Sequence, residues 1–476
     1  MMTSTRVDHR SALDGCGVRR VDWVEGSSSV AGSLMSALGL LLLSGFLWTK
    51  ISFNTQGTGW LFLPAFWACV MIVTTVRLKE GDRLCLAPSA PWTTIFVLWL
   101  LIRLGLDSES LADVVSYTIG YGEGILFAYG TGVAASILLD SFSRARSAGL
   151  RWSGTMALLM FNAWSAMWVE QTALSAGSLH RDYAFFYNDT YQVSGALASV
   201  LLVVLSSLFV RSVGESGRGV RRIARLALMV TAAVTFLMMA RLAQLLGSNA
   251  GPAFMLPVAV LSIATAWVDL RIPVKRHSGC GAGGANMFWR ALLSVGAWTI
   301  CLAVLVVGAF LLAVVGGSID ITQYRIFGFE EASLHNTSVD SRLRLLTSNF
   351  STHLAYAPLL GNFFVDRLTT GEGSYAHGLI AVVPHLGLVG AVLFVAMFLG
   401  VGGQLRVRWL ESRRSPPERR FAMFAILLIA WVLAFMLLTT FFTNILLWLT
   451  LGIVSPAVIV RGRLARPFTR GHHLRG

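Results

Sequence analysis

The sequence predicts an all-α, polytopic membrane bundle of about twelve transmembrane helices, with one large periplasmic loop between helices 9 and 10. Three observations support this fold class. Of the 476 residues, 55% are hydrophobic and only 13% are charged, which gives a mean hydropathy of +0.67. Apolar runs of about 20 residues, the length needed to cross a bilayer, recur along the whole chain. The basic residues gather in alternate connections between those runs.

The apolar runs define the expected spans and the organisation of the chain. The predicted spans are 31–49, 59–76, 91–106, 119–139, 152–176, 190–210, 223–246, 253–270, 288–315, 378–401, 421–439 and 444–460. The third span is short and contains Arg103, and the last two could form one hairpin broken near 440–443. The resulting divisions are a cytoplasmic N-terminal tail (1–28), helices 1–9 (29–316), the periplasmic loop (317–376), helices 10–12 (377–460) and a basic cytoplasmic tail (461–476).

The net charge of +14 has its origin in membrane topology. Most of the 38 Lys and Arg residues lie in the N-terminal tail, in every second connection and in the C-terminal tail. Cytoplasmic connections of membrane proteins carry such an excess of Lys and Arg, so the pattern predicts an even number of spans with both termini in the cytoplasm. A nucleic-acid-binding protein would need a basic soluble domain, and the sequence contains none.

The periplasmic loop has a helical pattern of its own. Apolar residues recur at helical spacing at Val339, Leu343, Leu346, Phe350 and Leu354. Pro358 ends the segment, because proline lacks the N–H that a helix interior requires. The pattern predicts an amphipathic helix lying on the membrane surface or on the bundle, with Arg342, Asn349 and His353 on its polar side.

His377 follows the loop, at the start of the tenth predicted span. An imidazole has an ordinary pKa of about 6.5, which suits a general base at neutral pH. His377 is therefore the candidate catalytic residue. An interfacial residue that caps or anchors the helix would explain the same position, and both interpretations stay open at this stage.

Three arginines are candidates for binding phosphate, because the planar guanidinium group can donate two hydrogen bonds to neighbouring phosphate oxygens. Arg342 and Arg344 lie in the loop, where a solvated helix face is the alternative explanation. Arg241 lies roughly 27 Å along the seventh predicted span, counted at 1.5 Å per residue, at the expected level of His377. Its side chain could instead extend to the lipid headgroups, and Glu170 could pair with Arg103 or Arg241.

These residues occur in a pattern that resembles the bacterial O-antigen ligase and O-antigen polymerase family. The resemblance consists of a late outer loop with Arg342, a Pro-x-x-Gly at Pro358 and Gly361, His377 at the head of a helix, and a Gly-x-x-Gly at Gly387 and Gly390. The close match covers 338–397, and Tyr191, Gln192 and Gly195 form a further similar feature.

The resemblance implies a metal-independent glycosyltransferase without a cofactor, in the inner membrane of a bacterium. The donor would be an oligosaccharide linked to undecaprenyl pyrophosphate, bound at the periplasmic face among the membrane lipids. His377 would take the proton of the acceptor hydroxyl. Arg342 and Arg241, or Arg344 in place of Arg342, would bind the pyrophosphate and stabilise its charge as it leaves.

The chain departs from the family pattern at three places. Ser248, Asn249 and Gly251 stand where the family often has Ser-Arg-Gly near the eighth span. Gly378 follows the candidate histidine where Asn or Ser is usual, and Asn362-Phe363 follows the Pro-x-x-Gly where a second glycine is usual.

Two activities within this chemistry are compatible with the sequence. A polymerase would transfer the glycan to another lipid-linked repeat unit, and Tyr375-Ala-His377-Gly378 favours this reading. A ligase would transfer it to the core of lipid A. A transporter or flippase is a third hypothesis, but it predicts inverted repeats with broken helices in both halves, and the sequence shows neither. Whether a chain-length regulator takes part stays open.

Overall fold

The architecture is known from a computed structural model. It describes residues 29–52, 59–80, 82–85, 89–145, 147–175, 191–213, 220–246, 248, 250–268, 282–315, 345–370, 378–411, 416–439, 444–455 and 458–461. The three candidate site residues His377, Arg342 and Arg344 lie outside these ranges.

The described part of the chain is almost entirely helical. Its α-helices are α1 (Val30–Ser52), α2 (Gly59–Lys79), α3 (Ala90–Asp107), α4 (Leu111–Tyr121), α5 (Ala128–Ser143), α6 (Ala148–Ser175), α7 (Tyr191–Ser212), α8 (Val220–Leu245), α9 (Ala250–Trp267), α10 (Ala282–Val315), α11 (Phe350–Tyr356), α12 (Val365–Thr369), α13 (Val382–Glu411), α14 (Pro416–Thr439) and α15 (Ile445–Val454). Two π-helical segments (Gly122–Phe127 and Leu345–Asn349), a 3₁₀ turn (Leu379–Ala381) and two short strands, β1 (Asp82–Cys85) and β2 (Val458–Arg461), complete the list.

Within the described residues, nine helical segments are long and apolar enough to cross a membrane. This confirms a multi-pass helical membrane protein. Each of the other predicted spans also coincides with a helix, namely α6, α10 and α15, of which the last two have shorter apolar stretches, Trp289–Val304 and Ile445–Val454. The total of twelve spans and the cytoplasmic location of both termini stay predictions.

Several predicted spans differ in length from the helices that form. The tenth was expected to end at 401, for example, but α13 continues to Glu411. The fourth begins earlier than expected, because α4, the π-helical segment and α5 form one continuous run, Leu111–Ser143. The last span ends earlier than expected, since α15 stops at Val454 and residues 458–461 form β2, antiparallel to β1. Pro456 explains this end, because the residue before a proline is disfavoured in the α region, and Ser455 has left that region at φ −89° and ψ 81°.

The helices pack around α7, whose residues from Leu197 to Val213 are nearly all buried. A helix that is apolar on every side is stable only in the interior of a bundle. Around it, α1 packs on α2, α5 on α15, α6 on α8, and α3 on α13. Large apolar side chains on the outer faces of the surrounding helices are exposed, as expected for a lipid-facing surface; Leu61, Ile102, Ile223 and Leu399 are examples.

The bundle has two ends with different chemistry. The ends of α2, α5, α7 and α13, with the beginning of α14, form what we call the basic end; it carries Arg77, Arg211 and Arg408. The end of α3, the beginning of α13 and the described part of the loop, residues 345–370, form the loop end.

Candidate functional site

At the loop end, a turn formed by residues 357–364 is seated on a break in α13. We call it the docked turn. The helix breaks at Gly387, where φ is 69° and ψ is −178°. The Leu388 and Val389 amides, which would otherwise bond within the helix, donate to the carbonyl oxygens of Pro358 (3.1 Å) and Leu359 (3.3 Å). The turn thus accepts hydrogen bonds from backbone N–H groups that the helix break leaves without a partner. Backbone groups without a hydrogen-bond partner are energetically costly in a membrane.

Two glycines make this close approach possible. Gly361 in the docked turn has φ +71°, and a Cβ atom placed on it would lie 2.2 Å from the amide nitrogen of Gly387. A Cβ atom on Gly387 would lie 2.3 Å from the carbonyl oxygen of Leu359. Both positions therefore accept only glycine, for steric reasons and because of their positive φ. The structure brings together two separate features of the family-like pattern, the Pro-x-x-Gly and the first glycine of the Gly-x-x-Gly.

Polar side chains of α3 hold the docked turn from the other side. Arg103 donates through Nη2 to the carbonyl oxygen of Gly361 (2.8 Å) and forms an ion pair with Asp107 one helical turn on. Asp107 Oδ2 accepts the Phe363 amide (2.7 Å). Both charged side chains are at most 9% exposed, so the pair is buried and each partner also bonds to the turn. Arg103 thus has a structural role within a membrane-spanning helix, α3.

An aromatic cluster fills the space under the turn. Phe363 makes edge-to-face contacts with Tyr117, Tyr121 and Phe364. His385 lies beside it, buried, with Nδ1 2.9 Å from the Phe363 carbonyl oxygen. The departure from the family pattern at Asn362-Phe363 therefore has a local explanation, because Phe363 provides the centre of this cluster and a glycine would leave it empty.

The loop helix α11 places His353 differently from the sequence-based expectation. His353 was predicted on the polar side, but it is fully buried, and its Nε2 lies 2.7 Å from Thr370 Oγ1. Burial lowers the pKa of His353 from its ordinary value, and the nearby carboxylate of Asp366 only partly opposes this. The reason is tertiary, since α11 packs on both α12 and α13, which leaves no solvated polar face at this position. Residues 339–344 of the predicted helix lie outside the described residues.

Gly378 is the residue that follows His377. Its backbone adopts φ +97° and ψ 179°, a combination restricted to glycine, and a Cβ atom on it would lie 2.2 Å from the Leu437 carbonyl oxygen. The close contact with the end of α14 explains why the chain has glycine where the family usually has Asn or Ser. His377 itself lies outside the described residues.

Arg241 is the one predicted site residue that the structure describes. Its Nη2 lies 2.8 Å from Glu170 Oε1, and the side chains are 68% and 16% exposed, respectively. The pairing of Glu170 with Arg241, left open by the sequence, is therefore present. Arg342, Arg344 and His377 lie outside the described residues, so the arrangement of the four predicted residues stays a prediction.

A second pair of family-like features meets at the beginnings of α7 and α9. A Cβ atom on Gly195 would lie 2.2 Å from Ser248 Oγ, and the same hydroxyl accepts the Gly251 amide at 3.0 Å. Ser248 and Gly251, which belong to the stretch that departs from the family's Ser-Arg-Gly, thus pack against the glycine of the Tyr-Gln-x-x-Gly feature. Sequence reasoning named both features but had no means of joining them.

The buried groups that hold the docked turn were missed by sequence reasoning. Arg103 and Asp107 are four residues apart, a spacing that allows an ion pair on any helix, and this was the only signal available.

Comparison of the chain with protein-family models, with curated proteins and with solved structures finds no match.

Proposed function

We propose that the protein is a membrane polysaccharide polymerase, which transfers a glycan from undecaprenyl pyrophosphate to a lipid-linked repeat unit at the periplasmic face. The observation that carries the proposal is the docked turn. Two motif elements that are 26 residues apart in sequence, Gly361 and Gly387, make a backbone contact that no other residue type permits. The contact gives the family-like pattern a physical basis and anchors the described part of the outer loop on the bundle.

In the proposed reaction the acceptor hydroxyl attacks the anomeric carbon of the donor glycan. The bond between that carbon and the pyrophosphate oxygen breaks, and the undecaprenyl pyrophosphate leaves with the electron pair. His377 takes the proton of the hydroxyl. Arg342 and Arg241, with Arg344 as the alternative to Arg342, neutralise the charge that grows on the leaving group. A backbone fixed at Gly378 supports this role, because a general base must stand at a defined distance from the hydroxyl.

The ion pair of Arg241 is compatible with a phosphate-binding role. The Arg241 side chain is 68% exposed, so it remains accessible to solvent or a ligand beside its contact with Glu170. Glu170 would then orient the arginine, much as a carboxylate orients a cationic ligand-binding group elsewhere.

The test uses purified protein in lipid nanodiscs with the undecaprenyl-pyrophosphate-linked repeat unit as sole substrate. A ladder of glycan lengths on a gel is the expected product. Transfer only after addition of lipid A-core would replace the polymerase with a ligase, and no product with either acceptor would contradict glycosyl transfer.

Variants then test the site. His377→Ala and Arg342→Ala are expected to abolish the product while the unfolding temperature stays within about 2 °C of that of the parent protein. Such a shift corresponds to a change in stability of less than about 0.5 kcal/mol. His472→Ala in the C-terminal tail and Arg406→Ala at the basic end are the matched controls and should retain activity. Full activity of both site variants would remove His377 and Arg342 from the mechanism.

A further inference from the structure

The basic end holds a group of buried charges around Asp140, which we call the basic cluster. Four guanidinium groups from four different parts of the chain approach this one carboxylate. The Asp140 oxygens lie 2.8 Å from Arg77 Nη1, 3.1 Å from Arg144 Nη2, 3.4 Å from Arg211 Nη1 and 3.8 Å from Arg408 Nη2. Asp140 is at the end of α5, and the arginines come from α2, the turn after α5, α7 and α13.

Two further carboxylates take part, but they do not balance the charge. Asp82 pairs with Arg77 at 3.0 Å, and Glu418 pairs with Arg408 at 2.6 Å. Among the described residues of the basic cluster, four arginines therefore face three carboxylates. The side chains of Arg77, Arg211 and Arg408 are only 4%, 1% and 10% exposed, respectively. Uncompensated positive charge in such a buried place is costly unless another anion is present.

The same arginines have N–H groups without a partner in the described part of the chain. These are Nη2 of Arg77, Nε and Nη2 of Arg211, and Nη1 of Arg408. The guanidinium groups of Arg211 and Arg408 both lie over the ring of Phe421, with their central carbons 3.6 Å and 4.9 Å from its centroid. Both guanidinium groups also approach the same oxygen of Asp140, Oδ1, at 3.4 Å and 3.8 Å, so one ring and one carboxylate oxygen bring the two like charges together.

We propose that the basic cluster binds a phosphate group, held by the open donors of Arg77, Arg211 and Arg408. Water would satisfy the N–H groups but leave the excess positive charge in place. A phosphate would accept hydrogen bonds from the N–H groups and also neutralise that charge. Arginine is also the side chain whose planar fork matches phosphate oxygens best. The phosphate is either that of an anionic lipid headgroup, since the cluster lies at the ends of membrane-spanning helices, or a free phosphate ion.

The experiment measures the thermal unfolding midpoint of the purified full chain. Inorganic phosphate is titrated in detergent against sodium chloride at equal ionic strength. In a parallel arm, nanodiscs of phosphatidylcholine are compared with nanodiscs that also contain phosphatidylglycerol. Arg211→Gln removes two of the open donors. Arg406→Gln is the matched control, because Arg406 is exposed and lies two residues from Arg408 on the same helix.

The midpoint of the parent protein and of Arg406→Gln is expected to rise with phosphate or with phosphatidylglycerol. For Arg211→Gln, the phosphate or lipid concentration at half-maximal effect should be at least about tenfold higher, the loss expected from one charge-assisted hydrogen bond. A rise with inorganic phosphate alone identifies the free ion, and a rise only with phosphatidylglycerol identifies the headgroup.

No rise in either arm, or an equal rise in the parent protein and Arg211→Gln, would overturn the proposal and leave water as the occupant. If Arg211→Gln does not fold, Arg408→Gln takes its place, because Arg408 supplies another open donor. The same weakening is expected for it, and an unchanged response would again refute the site.

Discussion

The two ends of the bundle are held together by different kinds of interaction. At the loop end, the docked turn is held by backbone hydrogen bonds to a broken helix and by one buried ion pair, Arg103 with Asp107. At the basic end, side-chain charges join α2, α5, α7, α13 and α14 around Asp140.

This difference separates the kinds of substitution that each end tolerates. Backbone contacts through Gly361 and Gly387 depend on shape and on allowed φ, so they exclude every side chain regardless of charge. The basic cluster depends on charge balance, so it should respond strongly to the loss of one carboxylate and to added anions. The loop end is thus held by close backbone contacts that exclude side chains. The basic end, in contrast, has arginine N–H groups without a partner among the described residues.

The largest expected effect is at the basic end. Asp140→Asn removes the carboxylate that four arginines share, and it should lower the free energy of unfolding by about 3–5 kcal/mol, because buried positive charges then lack their partner. Denaturant or thermal unfolding in nanodiscs measures the change. Asp113→Asn, at a half-buried acid in the first turn of α4, is the control and should cost less than about 1 kcal/mol. A loss below that control value for Asp140→Asn would mean that the cluster contributes little to stability.

At the loop end, Gly387→Ala should destabilise the protein by about 3 kcal/mol, since the new Cβ atom would collide with the docked turn and the backbone would keep a positive φ. Gly402→Ala on the same helix is the matched control, because nothing lies within 4 Å of its Cβ position. Its stability should stay equal or rise by up to about 1 kcal/mol. Equal behaviour of the two variants would show that the docked turn does not hold the loop.

A smaller, pH-dependent effect is expected at His353. Since burial lowers its pKa below the ordinary 6.5, the folded protein favours the neutral imidazole. Stability is then fully present above about pH 6.5 and falls as the pH drops below that value, where the unfolded chain binds the proton first. His353→Gln should flatten this part of the profile of unfolding temperature against pH. A profile unchanged by the substitution would place the responsible group elsewhere.

The smallest effect on stability is expected at the exposed ion pair. Arg241→Ala and Glu170→Ala should each change the free energy of unfolding by less than about 1 kcal/mol, as is typical of a salt bridge with an exposed partner. Their activities should differ, since pyrophosphate binding needs the arginine and not its partner. Glycan synthesis in the nanodisc assay should be lost in Arg241→Ala and largely kept in Glu170→Ala. If both variants retained activity equally, Arg241 would have no role in pyrophosphate binding beyond its ion pair with Glu170.

Much of the fold could be predicted because membrane helices have a strong local signal. Runs of apolar residues predicted twelve spans, and a helix forms at each of those positions, including the short α3 with Arg103. Errors concerned the ends, where local signals compete: α4 joins α5 through a π-helical segment, and Pro456 stops the last helix early. The candidate site was harder to predict from the sequence. A histidine such as His353 occupies the same position in the helical pattern whether its side of the helix meets solvent or a neighbouring helix.

The sequence by itself determined the membrane class, the positions of the helices and the set of glycines and arginines that stand out from an apolar background. Hydropathy and basic residues act locally, and every stretch of about 20 residues carries its own signal. Only the tertiary structure decided that Gly361 meets Gly387, that Arg103 and Asp107 hold a turn more than 250 residues further on, and that four arginines share Asp140. Those contacts depend on which helix faces which, and that choice follows from packing and charge balance across the whole bundle.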